Sequence, residues 1–346
     1  MDARTSLTNL NREELKELVK GLGKEDYRAR QIIQWIYHHR VDSFRKMTNL
    51  SRELRGLLEA TTRIDCLTLS DIEVSRDGSQ KFLFTMEDGE SIESVLIPDR
   101  DRLTICVSTQ AGCPFACRFC LTGQRRFSRN LSTAEIIGQV LSVQNVLQTK
   151  NLTNVVLMGM GEPLANFENS MRALEIMGYN EGLRFSQRRI TLSTAGVVPG
   201  IKKLGELPRI CRLAVSLNAT DDDTRTFLMP INENYPLEHL LDACRRFPLA
   251  ARERITFEYV LIKGINDSED DAKRLPRLLH GIPAKVNLIP YNESLDLPFE
   301  RPGDDRILAF QQILLEKHLT AIIRKSRGAD ISAACGQLRG KSRLPV

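Results

Sequence analysis

Residues 104–120 read TICVSTQAGCPFACRFC. A short run rich in β-branched residues, ICVST (105–109), leads into Cys113, Cys117 and Cys120, spaced C-x3-C-x2-C. Positions i, i+4 and i+7 would share one helix face, but Gly112 and Pro114 at the start of the segment favour a loop. The unit is therefore a strand followed by a cysteine loop. The same order recurs downstream: NVVLMG (154–159), RITLST (189–194), RLAVSL (212–217), ITFEYVLI (255–262) and KVNLIP (285–290) alternate with helical stretches. One of these, 132–147, opens with the capping box Ser132-x-x-Glu135. Repeated β-then-α order implies a parallel sheet. About six units, most strands ending in a Gly, Ser or Asn loop, predict an α/β fold of partial (β/α)6 barrel type with its site at the strand C-termini. A doubly wound open sheet is the alternative.

Three thiols this close in a chain with eight cysteines imply metal or redox chemistry rather than a disulfide framework, which reducing compartments disfavour. A helix burying one cysteine face is the bland reading. A structural zinc site wants four protein ligands, and none of His38, His39, His239, His280 or His318 lies near in sequence. Three thiolates suit an iron–sulfur cluster that leaves one iron open.

Length and composition fit this. The 346 residues are 42% hydrophobic and 27% charged, which is ordinary for a globular protein of two domains or of one large domain with an appendage, and excludes disorder as the main state. No apolar run approaches the ~18 residues that cross a bilayer, and MDARTSLTNLNREEL lacks the apolar core of a secretion signal, so a cytoplasmic protein without membrane partners is expected. Leu15, Leu18, Leu22, Ile32, Ile33, Trp35 and Ile36 fall at helical spacing and predict an N-terminal helical accessory domain over 1–62. Residues 63–104 read as a β-hairpin connection with turns at Asp77-Gly78 and Asp88-Gly89, and 105–346 as the main domain. The net charge of +5 hides an asymmetry. Residues 317–346 carry Lys317, Arg324, Lys325, Arg327, Arg339, Lys341 and Arg343 against Asp330 alone, a solvated tail or a polyanion-binding face.

Two further motifs carry chemistry. Met158-Gly-Met-Gly-Glu-Pro163 directly follows a strand; by itself it is a tight βα turn, but after a cluster loop Gly161 and Glu162 read as a contact to a ligand ammonium group. Ala333-Ala-Cys335-Gly-Gln-Leu338 sets a cysteine among small residues and cations, which favours an accessible, nucleophilic thiolate over a buried one. Cys106 reads by default as a strand core residue. Ser193, Ser216 and Asn292 sit at strand ends, where barrels bind ligands and where caps and turns are also common.

The cysteine spacing at the end of the first barrel strand resembles the radical S-adenosylmethionine (SAM) superfamily. In that superfamily SAM chelates the open iron of a [4Fe–4S] cluster, and reduction releases a 5′-deoxyadenosyl radical. IESVLIP (92–98), TICVSTQAGCPFACRFC, GMGEPLAN (159–166), ITLSTAGVVP (190–199), KVNLIPYN (285–292) and RGADISAACGQL (327–338) together resemble the RlmN family of adenine-C2 RNA methyltransferases. YRARQIIQWIY (27–37) resembles that family's N-terminal domain, so the likeness spans nearly the whole chain and implies an RNA-binding role for the accessory domain.

The resemblance implies a radical route, needed because C2 of adenine is electron-poor and cannot attack a SAM methyl group directly. Cys335 would take a methyl group from one SAM by polar displacement. A second SAM, on the cluster held by Cys113, Cys117 and Cys120, would supply the radical that removes hydrogen from that methyl, and the resulting methylene radical would add to C2. Cys106 would then release the product by attacking the Cys335 sulfur to give a transient disulfide, with Glu93 as proton acceptor. Gly161, Glu162, Ser193, Ser216, Leu217, Asn218 and Asn292 match the family's SAM contacts. Two positions depart from the family pattern: Asn218 stands where His is more usual, and Ser332 where Asp is.

The implied substrate is an adenosine of 23S ribosomal RNA in the peptidyl-transferase region and, in some members, the adenosine beside the tRNA anticodon. Arg125, Arg126, Arg129, Arg184, Arg188, Arg189 and the C-terminal cations are candidate phosphate contacts. A low-potential electron donor such as flavodoxin and a monomeric enzyme complete the expectation. The alternatives are a C8-adenosine methyltransferase of the antibiotic-resistance type and a non-catalytic iron–sulfur or zinc RNA-binding protein. GMGEP and the RGADI run favour C2 over C8.

Overall fold

The computed structural model describes residues 4–148 and 151–340. Its centre is a ten-stranded sheet whose strands lie side by side in chain order: β1 Thr68–Val74, β2 Gln80–Thr85, β3 Ser91–Asp99, β4 Arg102–Cys106, β5 Asn154–Leu157, β6 Ile190–Thr194, β7 Arg212–Ser216, β8 Ile255–Leu261, β9 Ala284–Pro290 and β10 Ala321–Ile323. From β4 to β10 every neighbouring pair is parallel, while β1 to β4 form an antiparallel meander. Six β/α steps lead to a seventh parallel strand, and β1 and β10 at the edges are not paired with each other, so the barrel is open. A doubly wound sheet reverses its strand order at a switch point; this one does not.

The two faces of the parallel strands differ sharply, as the alternation of a β-strand requires. Val155, Leu157, Ile190, Leu192, Leu213, Val215, Phe257, Tyr259, Val286 and Leu288 are buried under the surrounding helices. The opposite face carries Thr191, Ser193, Ser216, Thr256, Lys285 and Asn287, all of intermediate exposure. The covering helices include Thr133–Leu147, opened by the expected Ser132/Glu135 capping box, and Phe167–Met177.

The Asp-Gly turns fall where the sequence places them, with φ near +84° at Gly78 and +81° at Gly89, a region open to glycine. The meander they form does not stand apart but extends the main sheet from β4. At the N-terminus, helices Arg12–Gly21, Tyr27–Ile33 and Arg52–Thr61 are closed off by a short parallel pairing of Thr5–Ser6 with Thr62–Arg63. This unit docks on the barrel helices through Arg12 to Glu181, Arg172 to Glu14, and the Ala134 N–H to Asn9 Oδ1. No helix among the described residues is long and apolar enough to cross a membrane.

The contrast between faces is testable on adjacent residues of β8. Phe257→Ala should cost about 3–5 kcal/mol, whereas Thr256→Ala should cost under about 1 kcal/mol. Urea denaturation of both variants under identical conditions checks this, and equal losses would contradict the assignment of faces.

Candidate active site

Beyond β4 the chain makes a brief antiparallel pairing, Gln110–Ala111 with Arg129–Asn130, which closes the cysteine loop at its base. Gly112 has φ near +80°, and a Cβ there would lie 2.5 Å from the Arg126 carbonyl oxygen, so only glycine fits. Gly123 is equally constrained, 2.8 Å from the Cys117 carbonyl oxygen. The three cysteines lie in the loop as the sequence predicts, with Cys120 N–H donating to the Cys117 carbonyl at 3.2 Å. Burial raises all three thiols, Cys113 to about 12. Against that rise, the Phe115 N–H faces Cys113, and the N–H groups of Thr122 and Gly123 face Cys120. Donors aimed at sulfur stabilise thiolates, as cluster ligands require. Among the described residues no three thiol, imidazole or carboxylate groups converge on one point as a single zinc ion demands. A [4Fe–4S] cluster takes one thiolate per iron, and a set of three cysteines, which leaves one iron without a protein ligand, fits it.

The Gly-Met-Gly-Glu turn abuts this loop. A Cβ on Gly159 would meet the Val107 carbonyl at 2.7 Å, and one on Gly161, at φ near +95°, would meet Gln110 Cβ at 2.4 Å. Glu162 is buried, and its carboxylate accepts from Leu164 N at 3.0 Å and Ala195 N at 2.7 Å, which ties the turn after β5 to the loop after β6. Ser193 and Ser216 face the open interior. Leu217 is buried and Asn218 adopts φ near +59°, a conformation Asn tolerates better than most residues. The Asn218 side chain is engaged at both ends, donating to Met229 Sδ and accepting from Val260 N at 2.8 Å. Asn292 donates to the Cys335 carbonyl at 3.1 Å and accepts from Ser326 Oγ.

The C-terminal loop folds over this region. Leu121 N–H donates to the Gly336 carbonyl at 2.7 Å, Thr122 Oγ1 to the Leu338 carbonyl at 2.5 Å, and Gln337 Nε2 to the Glu293 carbonyl at 2.9 Å. Glu93 is buried on β3, and its Oε2 accepts from Arg339 N at 2.9 Å and Gly340 N at 3.0 Å. Register puts Val95 opposite both Lys81 and Cys106, so Lys81, Glu93 and Cys106 share one sheet face. Lys81 Nζ lies 3.7 Å from Glu93 Oε1 and donates to the Ile331 carbonyl at 2.6 Å.

Cys335 is an exposed residue, as expected, but its thiol is not activated as expected. Surrounding protein raises it and the Glu258 carboxylate raises it further, while Arg324 alone among the nearby cations draws it down. The expectation of a ready thiolate is corrected accordingly. Cys106 is buried and raised by burial, then by the negative charge of Cys335, so the two thiols lie within electrostatic reach.

Sequence reading missed Glu258. It stands opposite Ser216 and Asn287 on the inner face and accepts from Asn287 Nδ2 at 2.9 Å. A lone acid inside the β8 run ITFEYVL was the available signal. Of the candidate phosphate contacts, Arg125 is bonded to Glu90 and Arg129 to Asp88 and Glu135. Arg126 is exposed, Arg327 and Arg339 pair with Asp99 and Asp296, and Lys341 and Arg343 lie outside the described residues.

Residues 5–64 match the ribosomal RNA large subunit methyltransferase N-terminal domain, and residues 107–275 the radical SAM superfamily. The chain is 56% identical over 341 residues to the dual-specificity RNA methyltransferase RlmN of Geobacter sulfurreducens, covering 99% of this chain and 94% of that protein. It is 51% identical to the protein of the same name from Pelobacter propionicus, covering 99% and 97%. The crystal structure of a radical SAM methyltransferase from Sphaerobacter thermophilus superposes with a TM-score of 0.92 at 44% identity, covering 97% of this chain and 100% of that one.

Burial raises the Glu162 carboxyl from 4.5 to about 7. The folded state thus holds this proton more tightly than the unfolded chain, and its stabilising contribution, full below about pH 4.5, is lost as pH rises through about 7. Glu162→Gln removes the titration. Relative to wild type, the variant should gain on the order of 3 kcal/mol between about pH 4.5 and pH 8. Urea midpoints across that range test it; a difference that does not change with pH would refute the shifted proton.

Proposed function

The chain belongs to the RlmN family of radical SAM RNA methyltransferases, and from that premise we propose that it methylates C2 of an adenosine in 23S rRNA, and of the adenosine beside the tRNA anticodon, with Cys335 as the methyl carrier. The family's cofactors are a [4Fe–4S] cluster and SAM, which Cys113, Cys117 and Cys120 would hold with Gly161, Glu162, Ser193, Ser216, Leu217, Asn218 and Asn292. When bound, they supply one electron from a low-potential donor such as flavodoxin and an adenosyl radical that removes a hydrogen atom. The protein would act as a cytoplasmic monomer.

The observation that carries this reading is the 2.7 Å bond from Leu121 N–H to the Gly336 carbonyl, next in chain to Cys120 and Cys335 respectively. It fastens the carrier loop to the cluster loop. Cys335, once deprotonated, would attack the methyl carbon of SAM and expel S-adenosylhomocysteine, and its sulfur would then hold that carbon beside the cysteine loop. After the methyl has lost a hydrogen atom to the adenosyl radical and bonded to C2, the carbon would lie between Cys335 and RNA, and the adduct would return its unpaired electron to the cluster. Glu93 would take the C2 proton and the Cys106 thiolate would attack the Cys335 sulfur; the S–C bond breaks with its electron pair going to the methylene carbon, which takes a proton to become the product methyl, and a Cys106–Cys335 disulfide is left. Lys81 Nζ and the Arg339 and Gly340 N–H groups fix the position of the Glu93 carboxylate. The target adenosine must leave its stack to reach this interior, where bases are selected by stacking and edge contacts.

Cys335→Ala should abolish methylation, with iron content unchanged, while Cys106→Ala should accumulate a covalent protein–RNA adduct that wild type does not. Anaerobic reconstitution, iron analysis, gel shift under denaturing conditions and mass spectrometry of digested rRNA and tRNA read these outcomes. Methylation by Cys335→Ala would end the carrier role, and 8-methyladenosine as the sole product would overturn the C2 assignment. Full activity on rRNA with none on tRNA would remove the second substrate.

A further inference from the structure

Helix Asp222–Leu228, after β7, carries a guanidinium that none of the chemistry above uses. Arg225 is completely buried. Its Nε donates to the Leu217 carbonyl at 3.2 Å, Nη1 to Asn232 Oδ1 at 2.8 Å and the Tyr235 carbonyl at 3.5 Å, and Nη2 to the Ala195 carbonyl at 2.8 Å and the Ser216 carbonyl at 3.3 Å. Every one of these acceptors is neutral. Gly196, at φ near +110°, makes room for it, since a Cβ there would lie 3.0 Å from Nη2. A buried cation without an ion pair is costly, because backbone carbonyls replace water only in part.

The groups around it indicate where its counter-charge comes from. Cys117 packs in one apolar cluster with Ala195, Leu228 and Met229, directly beside the arginine's helix and one of its carbonyl partners. The cluster loop is bonded to the end of that helix, Arg118 N–H to the Leu228 carbonyl at 3.0 Å. Burial draws Arg225 down to about 10, still charged at neutral pH, and the groups opposing that fall are Cys117 first, then Asp222 and Cys244. Asp222 is committed elsewhere, its Oδ1 accepting from Asn232 Nδ2 and Leu237 N. Three thiolates leave a bound [4Fe–4S] cluster net negative, and each electron taken up adds to that charge.

We propose that Arg225 is the buried counter-charge of the cluster at Cys113, Cys117 and Cys120, a positioning residue that makes one-electron reduction of the cluster easier and holds the loops after β6 and β7 in register around it. In that reduction one electron passes from a low-potential donor to the cluster, and no bond or proton changes place. The inference rests on the cluster reading above and adds a residue to it.

The test uses the full chain, reconstituted anaerobically, as wild type, Arg225→Gln and Arg225→Lys. The readouts are iron content and the midpoint potential of the SAM-free cluster from a redox titration followed by electron paramagnetic resonance. Arg225→Gln should shift the midpoint to more negative potential, and Arg225→Lys, which keeps the charge but not the fork, should restore most of it. An iron-loaded Gln variant at the wild-type potential, or a Lys variant as low as Gln, overturns the inference and leaves the cluster assignment standing. Wild-type protein that takes up no iron overturns both. If neither variant takes up iron, hydrogen exchange of wild type decides: peptides spanning 216–229 should slow at least tenfold on cluster loading, and unchanged exchange overturns the counter-charge.

Discussion

The inner face of the parallel sheet cannot be packed against itself. Ser193, Ser216, Thr256, Lys285 and Asn287 project from it at every second position, and a carboxylate, Glu258, stands among them. Closing the barrel over these groups would strip water from all of them at once, with too few partners to replace it. The sheet therefore stays open, its outer face sealed by helices over an apolar layer and its inner face left to ligands. Chemistry is confined to that interior, and the loops at the strand ends are shaped by what must approach it.

Those loops show how a site for anionic sulfur is assembled from neutral and cationic parts. All three cysteines of the loop are raised by burial, so binding a metal centre there must expel protons as it forms. Backbone N–H groups near Cys113 and Cys120 lower part of that barrier, and Cys117 has the charge of Arg225 within reach. Ala195 links two of the supports: its N–H bonds Glu162 and its carbonyl accepts from Arg225. Tight glycines cluster here, for a side chain at Gly196 would crowd Arg225 Nη2, and one at Gly159 or Gly161 would meet Val107 or Gln110.

The local parts of this arrangement were legible in the sequence. Strand alternation, the Asp-Gly turns, the capping box at Ser132 and the cysteine loop each depend on neighbours a few residues away. The three-residue strand Ala321–Ile323 was not foreseen, being too short for a periodic signal and paired only through β9. Nor were the partners of Arg125, Arg129 and Arg225, because a cation's role depends on which distant carboxylates or carbonyls fold against it. The state of the Cys335 thiol failed for the same reason. Its neighbours in sequence are small and cationic, but its neighbours in space include the Glu258 carboxylate.

The antiparallel meander bears on that last point. Within the described residues the loop bearing Cys335 has only one turn of helix, Ala329–Ile331, and no strand, so it cannot hold its shape by backbone pairing alone. Its anchors are borrowed from the meander: Ser75 Oγ and Arg76 N donate to Asp330, the Gly328 N–H reaches Asp77, Lys81 holds the Ile331 carbonyl, and Glu93 holds two N–H groups beyond Leu338. Each bond joins residues about 250 positions apart, and Cys106 ends the last strand of the meander. Extending the barrel sheet by three strands therefore does more than cover an edge. It provides a shelf on which a loop without sheet structure is held against the cysteine loop.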